Sequence, residues 1–144
     1  MAEPTQAEAE RVLQLEQEIG QRVTWRPQRD GKRPRWRLQA TVLAIGSPVS
    51  LQLVGNYGKR HWSFALLVEN TPIRRCDYQW SSHRNPDGTK IAQPHKHRWD
   101  DVHQDREAYV PDDISFSDVN QAFFDFLREC NIMLIGPYQP LMAV

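Results

Sequence analysis

Four of the chain's five histidines fall within SSHRNPDGTKIAQPHKHRWDDVH, residues 81 to 103, among lysine, arginine and aspartate. In an extended backbone His95 and His97 fall on one face of a strand and Lys96 and Arg98 on the other. Two residues of strand rise set that pair about 7 Å apart. An imidazole titrates near neutrality, so one of the pair can act as general base toward a ribose 2′-hydroxyl and the other as general acid toward the leaving 5′-oxygen. His83 would assist. The product is metal-independent RNA cleavage. A second use is a metal site built from His95, His97, Asp100 or Asp101, and His103. The irregular spacing of its last members argues against it, so no metal or other cofactor is expected. A third use is plain solvation of a loop, since Asn85-Pro86-Asp87-Gly88 is a turn signature that needs no function.

Cleavage of RNA requires cations to hold phosphate, and these are concentrated in the middle of the chain. The 144 residues carry no net charge. Residues 22 to 98 nevertheless hold fifteen Lys or Arg against Asp30, Glu69, Asp77 and Asp87, an excess of eleven. Residues 1 to 20 and 100 to 129 carry the matching excess of acid. Arg35 and Arg37 alternate with apolar positions, and Lys59, Arg60, Arg74 and Arg75 fall at strand entrances. Together they make a candidate phosphate surface, with Trp25, Tyr57, Tyr78 or Trp80 available to stack on unpaired bases. The alternative is that these cations pair with the acidic ends inside the same fold.

The elements that would position these residues read as follows. Thr5 and Glu8 form a capping box, and Ala9, Val12, Leu15 and Ile19 recur at helical spacing up to Gly20. Arg22 to Pro27 suits a short strand. From Arg35 to Leu43 the period becomes two, with Trp36, Leu38, Ala40 and Val42 on one face. Val49, Leu51 and Leu53 alternate again, Gly55-Asn56-Tyr57-Gly58 reads as a turn, and Trp62 to Val68 and Ile73 to Trp80 follow as strands. Ser115 and Ser117 offer caps for a helix with Val119, Phe123 and Cys130 on one face, stopped at Asn131 before a last strand from Ile132 to Ile135. These patterns predict one α+β domain over residues 1–144: an antiparallel sheet with a meander of four or more strands, packed with an N-terminal and a C-terminal helix. Cys76 and Cys130 are too few for a disulfide framework. No apolar run approaches a membrane span, and no signal peptide is evident, so a cytoplasmic protein without membrane contact is expected.

The succession RRCDYQ, HRNPDGT, PHKHRWDD and FFDFLRECNI resembles small prokaryotic toxins of toxin-antitoxin systems, of the TumE kind, over roughly residues 60–135. The resemblance implies that His95 and His97 correspond to that family's histidine pair and Tyr78 to the tyrosine before its turn. It further implies a toxin or phage-defence setting with a cognate antitoxin as partner. The expected function is therefore a small protein that engages RNA, foremost as a toxin-type ribonuclease. The alternative is a non-catalytic inhibitor or antitoxin-like protein that acts on a nucleic-acid-processing partner.

Overall fold

The computed structural model describes residues 4–28, 35–58, 61–79, 83–84, 86, 90–91, 95–100, 104–109 and 118–142, with backbone alone at 78–79, 83–84, 90–91, 95–100 and 104–109. The architecture is α+β, an open and mostly antiparallel sheet with two helices.

Helix α1 (Gln6–Gln14) starts where Thr5 accepts a hydrogen bond from the Glu8 N–H at 3.1 Å, as the capping box predicts. It ends earlier than its apolar spacing suggests. Leu15 caps it, and Gln17–Ile19 becomes strand β1. The reason is tertiary: Ile19 is completely buried between two strands, and the Gln17 amide donates to the carbonyls of Val12 (3.1 Å) and Cys130 (2.8 Å). Tertiary pairing of this kind overrides local helix preference.

Strands β2 (Arg26–Gln28), β3 (Arg35–Ala44), β4 (Leu51–Gly58), β5 (His61–Val68) and β6 (Thr71–Gln79) follow. Each of β3 to β6 pairs antiparallel with the next. The predicted turn at Gly55-Asn56-Tyr57-Gly58 is instead the end of β4. Gly55 serves there as a packing residue, because a Cβ on it would lie 2.9 Å from the Phe64 ring and 3.1 Å from the Trp25 ring. The β5–β6 hairpin turns through Glu69 and Asn70, both at positive φ, which suits a two-residue turn.

Strands β7 (His83–Arg84) and β8 (Lys90–Ile91) pair with each other, while β9 (His95–Asp100) and β10 (Gln104–Tyr109) extend the main sheet beyond β6. At the opposite edge β1 joins β3, and β11 (Ile132–Leu134) runs parallel to β1. Asp118, one residue beyond the serines read as caps, caps helix α2 (Val119–Glu129) through its carboxylate. Asn131 leaves the helix at positive φ.

The period-two pattern gives the sheet two unlike faces. On one, Leu38, Ala40, Leu53, Phe64, Leu66 and Cys76 are buried, and α2 lays Phe123 and Phe126 on the Phe64 ring, both at 5.9 Å between centroids. On the other, Arg35, Arg37, Gln39 and Thr41 of β3 are exposed. Among the described residues no helix is long and apolar enough to cross a membrane.

Candidate nucleic-acid interface

The open face carries its groove where the sheet is split. On one edge β3 is paired by β1 only at Leu43 and Ala44, and by β2 only from Arg35 to Arg37. Between those points the chain swings away, because the Val23 N–H donates to the Pro137 carbonyl and the Gln139 N–H to the Val23 carbonyl, both at 2.9 Å. Residues 38–42 of β3 therefore have no strand beside them on this edge among the described residues. The Gln21 side chain partly fills the gap, its carbonyl oxygen accepting from the Thr41 N–H at 3.1 Å. What remains is a hollow of about 420 Å³.

Its lining is entirely cationic or neutral. Arg22, Arg26 and Arg37 contribute guanidiniums, Gln21, Gln28 and Gln39 amides, and Thr24 and Thr41 hydroxyls; no carboxylate reaches it among the described residues. Gln39 is held in place by donating to the Gln52 carbonyl oxygen at 2.8 Å. Arg26 and Arg37 are direct cross-strand partners. Like charges in that position repel. Three other described cations are answered: Arg74 pairs with Glu129 at 3.1 Å, Arg75 with Asp77 at 3.2 Å, and Arg128 with Asp125. Among the described residues no ion pair forms at Arg22, Arg26, Arg35 or Arg37.

The residues expected to act divide accordingly. Arg35 and Arg37 lie on the open face, Arg37 inside the hollow and Arg35 two positions along the same strand. Arg74 lies on the helix-covered face, where α2 supplies its partner, while its neighbour Arg75 lies on the open face beside Asp77. The backbone register sets His97 opposite Arg75 and His95 opposite Asp77. That strand is four strand spacings from β3, about 19 Å. His83 lies on the separate pair β7–β8, and Tyr78 lies on β6. Lys59, Arg60, Asp101 and His103 lie outside the described residues.

Sequence reasoning missed Arg22, Thr24, Arg26 and Gln28 as a set. The signal was present: they alternate with Val23 and Trp25, which are buried, in the same period-two pattern as β3.

A family model described as a family of unknown function (DUF6978) matches residues 5–132. No curated protein and no solved structure matches the chain.

Proposed function

We propose that this chain, which belongs to the DUF6978 family of unknown function, binds single-stranded RNA on the open face of its sheet, with phosphates seated in the groove between β2 and β3. The observation that carries this reading is the groove's lining of three guanidiniums with no carboxylate among the described residues. Amides and hydroxyls around the guanidiniums are the usual partners of phosphate and sugar oxygens. Arg35 continues the cationic line along β3 by about 7 Å, so the charge follows a strand rather than a point. The connections that follow β2 and β4 carry Arg29, Lys32, Arg33, Lys59 and Arg60 against Asp30 in the sequence. A chain of phosphates fits such a line better than a single small anion does.

A second reading adds cleavage to binding, in the manner the toxin resemblance implies. It is favoured by the register of β9, which sets His95 opposite a carboxylate residue and His97 opposite an arginine. A carboxylate orients and charges a histidine base, and an arginine holds phosphate.

The binding reading is tested by fluorescence anisotropy with labelled single-stranded RNA across a salt series. Affinity is expected to fall steeply with salt through counterion release, with a log–log slope of about −2 for three phosphate contacts on a single strand. The Arg26→Gln, Arg37→Gln double variant should reduce that slope to about −0.7. Absence of binding at about 50 mM salt, where such contacts are strongest, would refute it.

A further inference from the structure

On the reverse side of the same two strands the register sets aromatic residues in a row. Trp36 of β3 is the partner of Tyr57 on β4, Tyr57 of Trp62 on β5, and Trp62 of position 78, a tyrosine, on β6. The row lies one step outside Leu38, Gly55, Phe64 and Cys76, the row on which α2 rests. Trp62 is buried, but Trp36 and Tyr57 are only half-buried. Neither of these two rings stacks on another aromatic ring among the described residues. Beside Trp36 is a largely apolar hollow of about 380 Å³, which Trp25, Trp36, Gln139 and Leu141 help to line. Trp25 is fixed there, its indole N–H donating to the Tyr138 hydroxyl at 2.8 Å. Gln139 is anchored through its backbone N–H on Val23 and brings a carboxamide to the hollow.

We infer that Trp36 and Tyr57 form a stacking site for unpaired nucleobases, and that Gln139 meets the edge of a base in the hollow beside them. The inference rests on the RNA reading of the cationic groove. It commits to bases because indole and guanidinium occur on consecutive residues twice: Trp25 precedes Arg26 at the start of β2, and Trp36 precedes Arg37 within β3. Neighbouring residues of a strand face opposite sides of the sheet. Among the described residues β2 pairs only with β3, and no strand lies on its outer edge. One strand of RNA can pass around that edge with phosphates on the arginine side and bases on the tryptophan side. An apolar peptide would leave the three guanidiniums unanswered. Stacking on aromatic faces accepts any base, and carboxamides hydrogen-bond base edges.

The test compares two probes on the full-length chain: a single-stranded oligouridylate of about ten nucleotides, within the span of one single-strand site, and inorganic polyphosphate of matched charge. The first has phosphates and bases, the second phosphates alone. The oligouridylate is expected to bind more tightly and to quench tryptophan fluorescence. Trp36→Ala should weaken it about 5- to 150-fold, the equivalent of one lost base stack, and leave polyphosphate binding unchanged. Trp36→Phe should recover most of the loss, and Tyr57→Ala should reproduce it in part. Thermal unfolding of each variant separates lost stacking from lost fold. Equal affinity for the two probes, or equal weakening of both by Trp36→Ala, would overturn the stacking site and leave the cationic groove standing. Failure of both probes to bind would overturn the groove reading, and the stacking site with it.

Discussion

If the groove is built for an anion, the empty protein bears the strain of Arg26 facing Arg37, and removing one guanidinium should stabilise it. The two residues are Cα partners in an antiparallel pair, with no carboxylate in the lining among the described residues. Two unit charges about 7 Å apart in water repel by about 0.6 kcal/mol. A Debye length of about 30 Å at 0.01 M salt preserves most of that, and one of about 3 Å at 1 M leaves under a tenth. Arg26→Gln and Arg37→Gln should therefore each gain about 0.5 kcal/mol at low salt, which raises the Tm by about 1–2 °C for a domain of this size. The double variant should gain no more than either single one, because the same repulsion is removed once. Thermal unfolding by circular dichroism at the two salt concentrations measures this, and the gain should vanish at the higher one. A low-salt loss of stability in either single variant, or gains that add and ignore salt, would show that the pair is not under electrostatic strain. Added polyphosphate should reverse the order, stabilising the wild-type chain more than the variants.

Asn120→Ala should cost about 3 kcal/mol in urea unfolding, at about 1 kcal/mol for each hydrogen bond removed, because the side chain accepts from the Tyr138 hydroxyl and the Leu141 N–H and donates to the Leu141 carbonyl. Asn120→Asp keeps the accepting oxygen and should cost less. Burial pushes the Tyr138 hydroxyl up to about 12, against the hydrogen bond from Trp25 and with help from Asp118. The folded chain then keeps a proton that the unfolded chain releases above its ordinary value of 10.0, so stability should fall from about pH 10 to about 12. In Tyr138→Phe that slope should flatten. If the chain cleaves RNA, loss of either His95 or His97 should abolish cleavage with little effect on unfolding, and wild-type activity should be bell-shaped in pH and survive EDTA; cleavage retained in the double alanine variant would assign those histidines no chemistry.

Where the fold depends on period, the sequence was readable. Alternation from Arg35 onward describes β3 almost to its last residue, and Thr5 and Asn131 act at the helix ends where their types suggest. Where two readings shared one pattern, long-range contacts decided. Ile19 fits helical spacing after Leu15 equally well, and only its burial between β3 and β11 makes it a strand residue. Gly55 and Gly58 look like a turn until the Trp25 ring, from just before β2, and the Phe64 ring of β5 require the first of them to lack a side chain. The groove was the least legible feature. It exists because Val23 takes its backbone partners from Pro137 and Gln139, more than a hundred residues away, and so holds the chain off β3. No local pattern contains that information. The outward arginines could be listed from the sequence, but not the gap they surround.

The segregated charge can now be divided between its two explanations. Internal matching accounts for Arg74, which faces the C-terminal helix and meets Glu129 there. Arg75, the very next residue, points to the other face and is answered from its own strand by Asp77. Neither mechanism reaches β2 and the start of β3. The acidic residues of α1 and α2 belong to elements packed against the covered face, and the strand neighbours of Arg37 are Arg26 on one side and Asn56 on the other. The chain balances its charge to zero, yet among the described residues this groove gathers three guanidiniums without a carboxylate in its lining. An external polyanion is the counter-charge that the proposed function assigns to it, and the alternation that sends Arg26 and Arg37 to one face sends Trp25 and Trp36 to the other.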